Sequence, residues 1–433
     1  MEVIYSMIDM LFWVLGVYLM LNVAYLAFFG LVGLLPLRKS KKEANRYRKI
    51  AVLFPTYQEN VVIIDSVKAA LKHQYHGTFE IVVIADGLQP GTLVTLKELG
   101  AKVIEVYFEK STKGKAMQFA MNKLDGEGFE IAVVLDVDNI MSDDCLTYLN
   151  ASFDEGKRVV QAHRVAKNMD SSFAFLDACN EEVNNHLFRK SHAVLGLSPA
   201  LIGSGMAFEF AYFRNLLNNI GETVGEDKQL DFMIAKDKVS IAYLDDVYVY
   251  DEKIENAKVF TKQRTRWIAS QVEFLKKYAF EGFVQLFKGN VEFFNKTLQT
   301  FLVPRMLLLA LLFLLAVQSF LNPFGPTKEF WMSLFISLCL TLVIAIPRRF
   351  YADKRLYVAL FQIPRAMLGM VIALASIGKA KKSFMATPHS SKPLEKEKYL
   401  IMPLEMLIIP AIIFGILGFV RGVSAYKRVQ DKS

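Results

Sequence analysis

Asp136 and Asp138 leave the end of the apolar run Ile131-Ala132-Val133-Val134-Leu135 with one residue between them. Alternate residues leaving a strand point to the same side. The two carboxylates would therefore converge at a site edge and repel unless a positive charge stood between them. A hard divalent cation, Mg²⁺ or Mn²⁺, removes that conflict and commonly bridges carboxylates to a diphosphate. A solvated acidic turn is the plain alternative. A second acidic pair, Glu226-Asp227, precedes the helically spaced Leu230, Phe232 and Met233, where it also suits the acidic first turn of a helix. Two further polar clusters, Pro55-Thr56-Tyr57-Gln58-Glu59-Asn60 and Asp86-Gly87, come after apolar runs in the same way. Asp-Gly after a strand is ordinarily only a turn, so the weight lies in the repetition.

The elements that must position these residues are short β-branched runs: Ile50–Phe54, Glu80–Ile84, Ala101–Val106 and Ile131–Leu135, separated by stretches of helical spacing. Near-continuous apolar strands joined by helices predict an α/β domain with a parallel sheet covered on both faces. Ligands of such sheets sit at the carboxyl ends of the strands, where the polar clusters stand.

The chain has 433 residues, 53% of them hydrophobic, with 22% charged and a net charge of +8. It is too apolar for a soluble enzyme and too charged for an all-membrane protein, so the two characters are segregated. Lys and Arg crowd the ends of apolar runs, a membrane pattern that argues against nucleic acid as a partner. Cys145, Cys179 and Cys339 are far apart and lack metal-ligand spacing, which fits a reduced cytoplasmic domain. Met10 to Leu37 carries no charge, enough to cross a core of roughly 30 Å. It runs too long, after Glu2 and Asp9, for a secretory signal. The basic run Arg38-Lys39-Ser40-Lys41-Lys42 places the amino terminus outside and the chain from residue 38 onward in the cytoplasm. Met306–Thr327 and Phe330–Pro347 predict a hairpin, and Tyr399–Val420 a last span. Residues 356–378, with Pro364-Arg365 in their midst, predict an interfacial helix. The expectation is four spans with both ends outside.

The order Pro55-Thr56-Tyr57-x-Glu59, Asp86, Lys113-Gly114-x-Ala116, Asp136-x-Asp138, Glu226-Asp227 and Gln263-x-x-Arg266-Trp267 resembles the membrane-bound family-2 glycosyltransferases. These include the cellulose, hyaluronan, chitin-oligosaccharide and poly-N-acetylglucosamine synthases and the ceramide glucosyltransferases. The resemblance covers about residues 50–270 and implies a GT-A type, Rossmann-like catalytic domain flanked by transmembrane helices. It implies a nucleotide pocket of Thr56, Tyr57, Glu59 and Asp86, with Lys113 near the diphosphate, Asp136 on the nucleotide and Arg266 on the phosphates. Asp138 would hold Mg²⁺ or Mn²⁺, and Asp227 would be the general base. Glu226, the loop Gly203-Ser204-Gly205, Gln263 and Trp267 would face the acceptor, Trp267 also suiting a membrane-interface anchor. Gln161, His163, Arg164 and Asn168 resemble the strand and turn beside that loop. Phe384 and Thr387 resemble the gating loop of cellulose synthases, although Pro388-His389 departs from its pattern; a lysine-flanked surface loop is the alternative.

The implied organisation is a transmembrane helix over 1–37, a cytoplasmic catalytic domain over 38–255, interfacial helices over 256–300 and a membrane region over 301–433. The implied activity is inverting transfer from a UDP-sugar to a growing glycan at the plasma membrane. Single transfer to a ceramide- or polyprenyl-type lipid is the alternative acceptor reading. A transporter or receptor would need more polar residues in its spans than Glu405. The bilayer is the third partner, and nothing in the sequence sets an oligomeric state.

Overall fold

The computed structural model describes residues 2–221, 223, 225–254, 257–321 and 324–376. Phe384, Thr387 and the expected span Tyr399–Val420 lie outside the described residues.

Each apolar run becomes a strand. β1 (Ile50–Tyr57) has its first five residues fully buried because helices cover both faces. Helix α2 (Val62–Leu71) leads to β2 (Phe79–Asp86), α3 (Pro90–Glu98) to β3 (Lys102–Val106), and α4 (Lys113–Lys123) to β4 (Ile131–Val134). These four strands are parallel in the order β3-β2-β1-β4, which places Tyr57 beside Asp86 at their carboxyl ends.

The far half is mixed rather than parallel. It contains the two-residue β5 (Ile140–Met141), α5 (Cys145–Asp154), β6 (Val159–Ala166), α6 (Ser172–Asn184), a π-helical turn over Asn185–Lys190 and α7 (Ser191–Val194). Next come β7 (Met206–Glu209), α8 (Phe210–Asn218), α9 (Glu226–Lys236) and β8 (Ile241–Asp251). The sheet order continues β4-β7-β6-β8-β5, with β7 antiparallel to β4 and β6 while β6 and β8 are parallel. The chain leaves β6 at its carboxyl end and folds back along the same end. There Ala162 N donates to Gly205 O (2.8 Å), so the chain re-enters the sheet in reverse.

The apolar helices pack beside this domain. α1 (Glu2–Val32) buries Leu19, Val23 and Leu26 against Leu308, Leu312 and Leu315 of α12 (Arg305–Gln318) and Trp331, Leu334 and Leu338 of α13 (Lys328–Ala345). Small residues permit this approach, since a Cβ on Gly30 would lie 2.9 Å from Thr341 Cγ2. α10 (Ala257–Phe287) and α11 (Val291–Phe301) connect the domain to α12, and α14 (Arg348–Tyr351), α15 (Arg355–Leu360) and α16 (Ile363–Ala375) complete the described chain.

Glu2–Val32, Lys328–Ala345 and Arg355–Ala375 are each long and apolar enough to cross a membrane. One expectation changes here, and a second gains an alternative. The first hairpin arm is the 14-residue α12, joined to α11 at a bend of 54°, and reaches spanning length only as that broken pair. The interfacial helix expected over 356–378 rests on Pro364 as an interruption, but Pro364 sits in the first turn of α16, where a proline costs no internal hydrogen bond. Only α15 and α16 together, across residues 361–362, reach spanning length.

Candidate active site

At the carboxyl end of the parallel strands, the exit of β1 is held by local chemistry. Thr56 is buried and its hydroxyl donates to Phe54 O (3.0 Å), so it braces the turn rather than facing outward. Gln58 takes a positive φ of 53° while its N–H donates to Asp86 O (2.9 Å). Glu59 accepts from the Val61 and Val62 N–H groups (3.3 and 3.5 Å), which fastens the start of α2. Asp86 accepts from the Ser111 hydroxyl, tying β2 to the segment that enters α4. Tyr57, Glu59 and Asp86 thus share one edge of the sheet.

Thr112 caps α4 by accepting from Lys115 N (3.2 Å), which makes Lys113 the first helical residue. Its Nζ donates to Asp136 Oδ1 (2.5 Å) and to Gly203 O (2.7 Å). Gly203 has φ +79°, and a Cβ there would lie 3.8 Å from Asp227 Oδ2 and from Lys113 Nζ. Gly203 therefore brings α4, the turn after β4 and the head of α9 to one point. Gly205, at φ +62°, passes so near Val249 that a side chain would press to 3.2 Å. Gln161, fully buried, donates to Ser204 O (3.0 Å) and Gly205 O (3.2 Å) and accepts from Ile202 N (3.3 Å). Ser204 donates to Asn139 Oδ1, which also accepts from Asp136 N (3.1 Å).

Burial pushes the Glu226 carboxyl up to about 7, with Lys113 opposing and Asp227 adding to the rise. Asp227 is likewise raised by burial; the Lys228 N–H (2.8 Å to Oδ1) opposes this, and Asp231 adds to it. Burial works against the Lys113 ammonium, but Asp136, Glu226 and Asp227 outweigh it and hold the group above its ordinary value. Asp227, raised above its ordinary value and facing Gly203, is suited to accept a proton.

Asp136 and Asp138 stand in different surroundings. Asp136 is 33% exposed and engaged by Lys113, with Arg164 at 4.0 Å. Asp138 is 1% exposed; its Oδ2 accepts from Glu252 N (2.7 Å) and its Oδ1 from Asn139 Nδ2 (3.3 Å). Among the described residues no three His, Cys, Asp or Glu side chains form a group able to hold a metal. One carboxylate completed by phosphate and water suits the way Mg²⁺ is commonly bound.

Gln263, Arg266 and Trp267 occupy one turn of α10, and Arg266 lies near enough to Glu226 to oppose its rise. Trp267 is 40% exposed. The other face of its ring is covered by the Arg264 guanidinium at 3.9 Å, which also pairs with Asp177 (2.7 Å). His163 is held at about 9, where burial opposes its charge but Glu182 and Asp245 outweigh that. Asn168 accepts from Lys253 N (2.7 Å).

Sequence reasoning missed the buried network under the loop. Glu181 takes Arg164 (2.9 Å) and Arg189 (3.3 Å), while Asp251 takes Lys253 (2.8 Å) and Asn139 Nδ2 (3.2 Å). The available signal was Glu181-Glu182 beside the apolar face of α6. Asn139, directly after the second aspartate, was the other.

Among solved structures, the chain resembles the mannosyltransferase PcManGT from Pyrobaculum calidifontis, solved with GDP-Man and Mn²⁺, at 15% identity over 76% of this chain and 97% of that one, with a TM-score of 0.43. It also resembles glucosyl-3-phosphoglycerate synthase from Mycobacterium tuberculosis, solved with Mn²⁺, UDP and glucosyl-3-phosphoglycerate. There the identity is 17% over 52% of this chain and 82% of that one, with a TM-score of 0.34. No curated protein matches the sequence. Residues 48–270, more than half of the chain and the whole of the region just described, match the family Glycosyltransferase like family 2. The chain belongs to that family, as a GT-A glycosyltransferase that uses a nucleotide-sugar donor.

Proposed function

We propose that this protein is an inverting, membrane-embedded transferase that extends a growing polysaccharide from a UDP-sugar, with its catalytic domain in the cytoplasm and its apolar helices in the plasma membrane. The observation that carries the reading is the raised Asp227 carboxylate at the head of α9, across Gly203 from Lys113. In this reading Tyr57 and Asp86 receive the uridine, and Lys113 and Arg266 meet the diphosphate. The acceptor hydroxyl gives its proton to Asp227 as its oxygen bonds to the sugar C1 and the C1–phosphate bond breaks on the opposite face. UDP leaves with its new charge balanced by Lys113 and Arg266. Mg²⁺ or Mn²⁺, held by Asp138 and the diphosphate, would supply further positive charge against the leaving group. Gly203, Ser204 and Gly205 leave room for the acceptor sugar, and Trp267 lines its entrance. A polymer acceptor is supported by α10, whose Phe260 and Ile268 pack on Ala366 and Met370 of α16, so that the acceptor side adjoins an apolar helix.

The test is turnover of a panel of UDP-sugars by the purified full chain, measuring UDP release and product length. We expect one donor to give a ladder of products, and Asp227→Asn to lose 10² or more in rate with UDP affinity kept within a few-fold. A single addition to a lipid would overturn the polymer assignment, and normal turnover by the variant would overturn the base.

A further inference from the structure

One turn beyond Asp227 on α9 stands Asp231, fully buried. Its Oδ1 accepts from Leu201 N (3.2 Å) and from Lys296 Nζ (3.2 Å). Lys296 comes from α11, is also fully buried, and donates to Pro199 O (2.7 Å). One ion pair therefore fastens three parts together: the helix that carries the base, the segment that runs into Gly203, and the helix that bends into α12. Asp231 Oδ2 has no hydrogen-bond partner among the described residues.

Removing two charges from water costs so much that apolar residues of similar volume often serve stability as well or better. Stability alone is thus a weak reason for this pair. The charged groups around Asp227 are Glu226, Lys228 and Asp231 on its own helix and Lys113 on α4. Around Asp231 stand Lys296, Lys228, Arg189 and Glu292. Asp231 favours the protonated form of Asp227, and Lys296 is the cation in direct contact with Asp231.

We propose that Lys296 is a positioning residue for sugar transfer: it balances Asp231 so that Asp227 is ionised at working pH, and it holds residues 199–201 so that the glycine loop faces the base. This rests on the reading of Asp227 as the base. A purely structural pair would give the same phenotype whichever partner is removed, whereas an electrostatic role gives opposite ones. Lys296→Met leaves an uncompensated anion near Asp227 and should move the acid limb of the kcat–pH profile upward by about 0.5–1 pH unit. Asp231→Asn removes that anion and should move the limb downward by a similar amount, although it breaks the same contact. Lys296→Arg should restore the limb.

The measurement is kcat at saturating donor across pH 5–9, on the full chain and with the UDP-sugar the panel selects. UDP binding in Mn²⁺ by calorimetry checks that each variant folds. Shifts in the same direction, or none, would overturn the proposal. If Lys296→Met fails to fold, Asp231→Asn decides alone, since an unmoved or raised limb refutes it. Normal turnover by Asp227→Asn would instead sink the base assignment, which separates the two failures.

Discussion

Replacing Lys113 with methionine keeps most of the unbranched side chain and removes its charge. The ammonium now donates to Asp136 and Gly203 O and faces Glu226 and Asp227, so one substitution strips the counter-charge from three carboxylates. A hydrogen bond to a charged group contributes about 1.5–3 kcal/mol. Because Asp136 is 33% exposed, water recovers part of that in the free protein. The diphosphate has no such recourse once the site closes around it. The loss should therefore fall on UDP affinity, by roughly 10- to 150-fold. Glu226 and Asp227 should also hold their protons more tightly, because the cation that opposes their rise is gone. As the ionised base is the working form, the acid limb of the rate profile should move upward. Calorimetric titration of UDP in Mn²⁺ measures the first effect, and kcat against pH the second. UDP affinity within threefold of wild type, together with an unmoved limb, would refute the placement of Lys113 between donor and base.

Asp138→Asn should weaken both metal dependence and UDP binding; activity should vanish in chelator and return with Mg²⁺ or Mn²⁺, and full activity in chelator would remove the ion from the chemistry. Arg266→Ala should weaken UDP binding through a lost charge-assisted contact of about 2 kcal/mol, whereas Trp267→Ala should leave UDP binding nearly intact and stop elongation. Equal binding defects in the two would end that division. A cysteine in place of Lys328, half exposed at the start of α13, should react with an impermeant thiol reagent added outside intact cells. Labelling only after permeabilisation would invert the topology.

The parallel half of the sheet was legible because β1, β2 and β4 are apolar runs largely buried on both faces, and hydropathy alone marks such runs. Tyr57, Asp86 and Asp136 were legible for a related reason: they sit where those runs end, whereas Lys113 was marked only by the family resemblance. The features that escaped depend on partners distant in sequence. Asp138 is bound by the Glu252 N–H, and Gln161 binds residues 202–205 beside the reversed β7. Nothing local to Asp231 or Lys296 announces that they meet. Pro364 stands in the first turn of α16, just after the break that separates α15 from α16, where a proline costs no internal hydrogen bond.

Phe232 of α9 is stacked on Tyr278 of α10 (4.2 Å between ring centres), with Phe274 at 5.9 Å and Phe293 of α11 at 5.2 Å. The three phenylalanines are almost wholly buried, each by the others. This bears on how a water-soluble fragment should be cut. A truncation at residue 255 would respect the expected domain border, but it would uncover Phe232 directly behind the acidic pair. Reburying one such ring contributes about 1.5–3 kcal/mol, so that fragment would bring a sticky patch with it and invite self-association. A fragment carried through Phe301 keeps the aromatic cluster closed, along with Lys296 on its carboxylate, and stops before the apolar α12. The helices expected as an interfacial appendage thus serve as the inner wall of the catalytic unit, and crystallisation or screening work on that unit should retain them.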